Sequence, residues 1–255
     1  MGNIKRINEY GRAYSAVPFE PEQSEFRRRF TAARLRERPH ARVLEIGCGL
    51  SSLSSELDDF EHWTIIEPFA DFAAKARKRA GKNHRIHVID GFLEDHVMSL
   101  QKERFDVIVA SGVLNEVADP KSFMADIASA ASRNSIIYVS APNAGSFHRL
   151  LAVEMKLIPD IYADSKIQKK LRQRLYDMES LRRAATNAGF RVIDSGYYAF
   201  KPFTHAQMEK LMQQRFLNKR MLDGLFNMCK HAPELGSEMF VELKLSPRPR
   251  SSNKK

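Results

Sequence analysis

Val43-Leu44-Glu45-Ile46-Gly47-Cys48-Gly49-Leu50-Ser51 is the stretch on which the reading of this chain turns. Its apolar start predicts a short buried strand, ended by a Gly-x-Gly bend. Neither glycine carries a Cβ, so the main chain can turn sharply and a ligand can approach it closely. Taken alone, the pattern suits both a nucleotide site and an ordinary strand-to-helix turn. The neighbouring residues narrow it. Thr64-Ile65-Ile66-Glu67 predicts a second strand, stopped by Pro68, with Glu67 at its end. A carboxylate there can accept both hydroxyls of a ribose. Glu45, near the end of the first strand, would repel the phosphates of a dinucleotide but suit an amino group or a sulfonium. Ser52 stands where a dinucleotide fingerprint has its third glycine. The combination predicts a nucleoside ligand without a pyrophosphate.

Further along the chain, apolar runs alternate with helical stretches. After Pro68, residues Phe69, Phe72, Ala73, Ala76 and Ala80 fall on one helical face. Ile86–Ile89, Phe105–Ala110 and Ser135–Ser140 predict three more strands. Short continuous apolar strands separated by helices indicate a parallel sheet covered on both faces, so the fold class is α/β. After Pro142 come an amphipathic piece (Phe147, Leu150, Leu151, Val153) and a stretch rich in Lys, Arg and Gln. A helix over 177–188 is closed by Gly189, and a sixth strand spans Phe190–Tyr198. A helical insertion over about 204–230 carries Met208, Leu211, Met212 and Leu222 as its buried stripe, and the last strand is Glu238–Leu245. Residues 1–38 read as a mobile arm with Tyr10, Tyr14 and Phe19, followed by a helix over Glu22–Arg38. The main domain is then 39–245, with insertions at about 146–176 and 201–232, and 246–255 is a disordered basic tail.

Composition sets the outer limits. Of 255 residues, 43% are hydrophobic and 28% charged, enough for a real core. The net charge is +10, but Arg248, Arg250, Lys254 and Lys255 in the tail supply four of those charges. Such a balance favours a phosphate-bearing partner without choosing among nucleic acid, nucleotide sugar and lipid. Cys48 and Cys229 are too few for a disulfide framework or a four-cysteine zinc site. Cys48, between two glycines, reads as a small filler rather than a nucleophile, and Cys229 as packing. The N-terminus lacks an apolar signal core, Arg6 stands where a myristoylation signal wants Ser or Thr, and no run approaches the ~18 apolar residues of a membrane span. The expected location is cytoplasmic. No spaced set of carboxylates and histidines suggests a metal, so the chemistry is expected to be metal-independent.

Residues 40–145 resemble the class I S-adenosylmethionine-dependent methyltransferases, in particular the branch whose fourth strand leads into a Val-Leu-x-His-Val-x-Asp-Pro-type segment, here Val113-Leu114-Asn115-Glu116-Val117-Ala118-Asp119-Pro120. The resemblance implies a Rossmann-like sheet of seven strands in the order 3-2-1-4-5-7-6 with the last antiparallel. It also implies a cofactor site of Glu45, Gly47, Cys48, Gly49, Glu67 and Pro68, the turn Gly91-Phe92-Leu93 against the adenine, and Ser111 and Val113 after the fourth strand. S-adenosylmethionine would be the cofactor and S-adenosylhomocysteine the product. More loosely, the segments around 142–149, 176–177, 188–190 and 201–202 resemble methyltransferases that modify sugars and bacterial surface polysaccharides, which implies O-methylation of a glycan precursor; Gln173 replaces a histidine expected beside Arg174.

Methyl transfer to oxygen calls for alignment and removal of a proton. Two candidates for the base stand at the carboxyl ends of the fourth and fifth strands. Glu116 occupies the position where relatives often carry histidine. His148 follows the fifth strand and has an ordinary pKa suited to neutral pH. Either could instead serve a structural end, Glu116 as a cap or salt bridge. Tyr10, Tyr14, Asn115, Asn143, Arg149, Tyr176 and His205 are the candidate acceptor contacts. Arg149, Lys156, Lys166, Lys169, Lys170, Arg172, Arg174, Arg182 and Arg183 would suit a phosphate or nucleotide sugar if they line the cleft, and are otherwise a solvated face. The acceptor is thus expected to be a small molecule. An RNA or DNA methyltransferase is the rival the charge suggests, but Ser111-Gly112-Val113 stands where such enzymes hold a base's amino group. A catalytically silent, cofactor-binding fold is the other alternative.

Overall fold

Successive residues of a strand point to opposite faces, and the first strand, β1 (Arg42–Ile46), is apolar on both. Val43 enters one hydrophobic cluster while Leu44 and Ile46 enter another. A strand of this kind has to sit inside a sheet with cover on both sides. The computed structural model describes residues 2–171 and 173–247, and in it β1 is an interior strand of a seven-stranded sheet. The other strands are β2 (His62–Glu67), β3 (Ile86–Asp90), β4 (Val107–Ser111), β5 (Ile136–Pro142), β6 (Phe190–Tyr198) and β7 (Glu238–Leu245). The order is β3-β2-β1-β4-β5-β7-β6. The first five strands are parallel and β7 runs antiparallel to both β5 and β6. This is the Rossmann-like α/β arrangement expected from the sequence.

Helices cover both faces. On one side lie α4 (Val97–Leu100), α5 (Pro120–Ala130) and α8 (Met178–Asn187), whose Leu100, Phe123, Ile127, Leu181 and Ala185 pack on Leu44, Ile108 and Val139. Asp119 caps α5 through Lys121 N and Ser122 N, and Pro120 fills its first turn. The other side is covered by α2 (Glu20–Arg36), α3 (Ala70–Ala80), α9 (His205–Gln213) and α10 (Lys219–Met228). The insertion after β5 adds α6 (Phe147–Glu154) and α7 (Lys166–Leu171). In the second insertion Met208 is buried, and Leu211, Met212 and Leu222 pack beside it.

The structure corrects the sequence reading at two places that matter for function. Residues 2–15 are helical, α1 (Gly2–Ser15), and not a loose arm. Ile7, Tyr10 and Tyr14 form its inner stripe at helical spacing, a signal masked by the poor helix formers Gly2, Asn3 and Gly11. The second helix starts two residues earlier than expected, with Pro21 in its first turn. Beyond Gly49 no α-helix forms. The bend runs into a single 3₁₀ turn, Leu53–Ser55, because Glu45 and Ser52 engage the backbone there. A Ser-rich segment with such local partners favours caps and turns over helix. Without a helix N-terminus the bend has no dipole to offer a pyrophosphate. The basic tail over 248–255 lies outside the described residues, and no helix among the described residues is long and apolar enough to cross a membrane.

Candidate active site

The carboxyl ends of β1 to β4 open into a cavity of about 990 Å³, at the upper end of the ~300–1,000 Å³ usual for small-molecule sites. Its floor is the glycine bend. Gly47 has φ +74°, and a Cβ there would stand 2.7 Å from Val113 Cγ2. Gly49 has φ +54° and faces open space. Glu67, at the end of β2, is buried and turned toward the bend. Its Oε2 accepts from Gly49 N at 3.0 Å and its Oε1 from Phe69 N at 2.9 Å. Burial raises its pKa, and the two amides oppose that rise. An ionised carboxylate offers about four acceptor positions, so two remain for a vicinal diol. Pro68, Phe69 and Phe72 form one wall, Phe92 and Leu93 another, and Ser111, Gly112 and Val113 a third.

Glu45 also borders the cavity, yet its carboxylate is already engaged. Leu53 N donates to Oε1 at 2.9 Å, while Trp63 Nε1 (2.9 Å) and Ser52 Oγ donate to Oε2. Burial nonetheless pushes its pKa up to about 7. Cys48 is buried, and burial first, then Glu67 and Glu45, raise its thiol far above the usual range. It is a small filler in the bend, not a reactive thiolate.

α1 and Leu171 of α7 also line the cavity. Tyr10 and Tyr14 stack with ring centroids 5.8 Å apart and both border the space. Tyr14 Oη donates to Glu20 Oε1, and Arg27 bridges Tyr14, Glu20 and Glu238. Glu116 projects from the loop after β4, and its Oε1 accepts from Gln173 Nε2 at 3.1 Å. Burial raises its pKa to about 8, against the lowering effects of Tyr10, Arg27 and Gln173. Burial is likewise the largest cause of the raised pKa values of Tyr10 and Tyr14.

The sequence profile of a methyltransferase domain family matches residues 20–195. The chain belongs to this family. Solved structures agree on the fold at low identity. A Thermotoga maritima S-adenosylmethionine-dependent methyltransferase, described as a possible histamine N-methyltransferase, is 18% identical with a TM-score of 0.60, over 96% of this chain and 100% of that one. The plantazolicin methyltransferase BamL, solved with a triazolic desmethylPZN analogue and S-adenosylhomocysteine, is 14% identical with a TM-score of 0.55, over 96% of this chain and 90% of BamL. The [4+2]-cyclase SpnF is 16% identical with a TM-score of 0.55, over 86% of this chain and 81% of its own. A comparison with curated proteins returns no match.

The cofactor of this methyltransferase is S-adenosylmethionine, and the site fits it. A bend that a Cβ would fill, a buried acid with two free acceptor positions and the apolar pair Phe92–Leu93 suit an adenosine better than a phosphorylated ligand. Of the expected site residues, Glu45, Gly47, Cys48, Gly49, Glu67, Pro68, Phe92, Leu93, Ser111, Val113, Tyr10, Tyr14 and Glu116 all border the cavity. Gly91 lies beneath, where a Cβ would meet His96 Nε2 at 2.7 Å.

The others do not line the cavity, and for those that come just after β5 the cause is an anchor beside the sheet. After β5 the chain is fastened to the β7 side: Asn143 N donates to Ser237 O, and Asn143 Nδ2 to Gly236 O and Glu234 O. Asn143, His148 and Arg149 are thereby held away from the glycine bend, whereas Leu171, farther along the insertion, returns to line the cavity. Asn143 and Tyr176 pair with each other, and Arg149 is spent on the carbonyls of Ile161 and Ala163. His148 sits beside Ser146, and burial, Lys201, His205 and Arg149 together hold it well below its ordinary pKa. His205 meets Lys201 and Glu20 instead of the cavity. Asn115 is buried under the loop, its Oδ1 without a partner among the described residues. Arg174, Arg182 and Arg183 bond to Ala118 O, Ser195 and Glu179. The side chains of Lys166, Lys170 and Arg172 lie outside the described residues. Arg27, Arg28 and Glu20 are the site's neighbours that the sequence did not disclose; the signal available was only their spacing along α2.

Proposed function

We propose that this methyltransferase transfers a methyl group to a hydroxyl of a small uncharged acceptor, of which a sugar or glycan precursor is the expected class, and that Glu116 takes the hydroxyl proton. The observation that carries the reading is Glu116 itself, a carboxyl group that lines the same cavity as the adenosine-fitting bend and the α1 tyrosines. S-adenosylmethionine, when bound, supplies a methyl already activated on a sulfonium. What is left to the chain is to seat the acceptor and receive its proton. A carboxylate whose proton affinity has been raised to about 8 is a stronger base than an exposed one, and lies close to working pH. The stacked rings of Tyr10 and Tyr14 add an aromatic lining, the kind of surface on which a sugar ring packs.

Charge supports an uncharged acceptor over a phosphorylated one. The two arginines that border the cavity are already paired, Arg27 with Glu20 and Glu238, and Arg28 with Glu56. Glu9, Glu94, Glu116, Asp119 and Asp126 border it as well. A phosphate would meet more negative than free positive charge.

The test is incubation of the full chain with S-adenosylmethionine labelled at the methyl and a panel of glycosides, nucleotide sugars and amines, read by mass spectrometry. Label on a hydroxyl of an unphosphorylated acceptor is expected. Glu116→Gln should lower that turnover at least a hundredfold while S-adenosylhomocysteine still binds, and His148→Ala should leave it within a few fold. Label on phosphorylated sugars or amines alone would overturn the acceptor class, and full activity in Glu116→Gln would overturn the base.

A further inference from the structure

We propose that Gln173 is a positioning residue for Glu116: by donating its side-chain amide to Oε1, it fixes Oε2 as the oxygen that faces the acceptor. The inference rests on the role given to Glu116 above, and it concerns a segment far away in sequence, from the insertion after β5.

Gln173 and Arg174 lie along the loop that carries Glu116. Arg174 N donates to Asn115 O at 2.7 Å, Arg174 Nη2 to Ala118 O at 2.8 Å, and Gln173 Nε2 to Glu116 Oε1 at 3.1 Å. The two bonds from Arg174 go to backbone carbonyls on either side of Glu116 and are sufficient to fasten the segment. The amide of Gln173 is then surplus to fastening and goes to the carboxylate. Leu171, two residues earlier, borders the cavity, so the same segment walls the acceptor end.

The side chain that orients Glu116 has to satisfy a chemical restriction. Glu116 is faced by Tyr10 from α1, by Arg27 and Glu20 from α2, and by Gln173 from the insertion. Arg27 is held by Glu20 and Glu238, so its charge is largely spoken for. A lysine or arginine at 173 would hold Glu116 ionised and weaken it as a base. A carboxylate there would compete for the proton. An amide donates one hydrogen bond and lowers the burial-raised proton affinity without the pull of a full charge.

The titration of Glu116 tests the proposal without any acceptor. Full-length protein labelled with carboxyl-13C glutamate and saturated with S-adenosylhomocysteine is titrated by NMR, and the Glu116 signal is assigned by its loss in Glu116→Gln. Removing a donor from the charged form should move the midpoint up by about one pH unit in Gln173→Ala. A cation at the same place should move it down in Gln173→Lys, with S-adenosylhomocysteine affinity unchanged in both. Opposite shifts in the two variants support the proposal. A midpoint that stays put in both, or moves the same way in both, overturns it. Because the readout is a proton equilibrium and not turnover, the pairing can fail while Glu116 keeps its role, and the converse shows as a titrating Glu116 in an enzyme that loses nothing when it is replaced.

Discussion

Glu45 and Glu67 stand near the ends of neighbouring strands and are both buried, yet they have different work. Glu45 faces inward and gathers three donors, from Leu53, Ser52 and Trp63, so that it shapes the bend and ties β1 to β2. Glu67 takes only two amides, from Gly49 and Phe69, and keeps acceptor positions toward the cavity. Glu67→Ala removes a charged acceptor and should weaken S-adenosylmethionine binding by about 1.5–3 kcal/mol, more than tenfold. Calorimetry would measure this, and unchanged affinity would count against the ribose contact. The place of Glu67 beside the bend could be read from sequence because it follows from a strand end. The second acid was harder to place, since what Glu45 touches is set by Ser52 and Trp63. His148 shows the limit of such reading. Its pKa and its position after β5 suit a base, but the tie between Asn143 and the β7 side puts it elsewhere.

At the scale of elements, α1 decides whether the cavity is enclosed. It sits on the aromatic wall after β2 at one point, where a Cβ on Gly11 would lie 2.3 Å from Phe69 Cδ1. The glycine is therefore a matter of close approach, not of backbone angle. Gly11→Leu should lift α1 from Phe69 and open the lid. Backbone amides of residues 7–15 should then exchange at least tenfold faster, and S-adenosylhomocysteine should dissociate faster. Exchange equal to the parent's would show that α1 docks by other contacts. The helix itself was concealed in the sequence because its inner stripe is only three residues long and is broken by glycine.

Across the whole molecule, α2 joins the N-terminal helices to the far side of the sheet. Gln23 and Arg27 bond to Glu238, Phe30 lies against Phe240, and Arg34 and Arg38 bond to Glu242. Alternate residues of β7 thus meet successive turns of α2. Arg27→Ala would leave Glu20 and Glu238 as buried, uncompensated acids, and should cost about 3–5 kcal/mol. A correspondingly lower midpoint in thermal or urea unfolding is expected. A midpoint within 1 °C of the parent would mean that these acids are relieved in another way. Nothing in the sequence pairs Glu238 and Glu242 with a partner, and only the packing of α2 shows what they meet.

The strand pattern, the glycine bend and Glu67 needed no structure, because apolar period, absence of Cβ and a strand end are local facts. From them followed the α/β class and a site for a nucleoside without pyrophosphate. Sheet order came through family likeness, since residue pattern alone does not say which strands are neighbours. Tertiary structure alone decided which side chains share the cavity with that site. Glu116, Tyr10 and Gln173 come from three separate stretches of chain, while Arg149 and His148, closer in sequence to the fifth strand's end, are turned away. Proximity of that kind depends on where helices α1 and α2 and the insertion after β5 come to rest, a sum of many distant contacts that no short segment encodes.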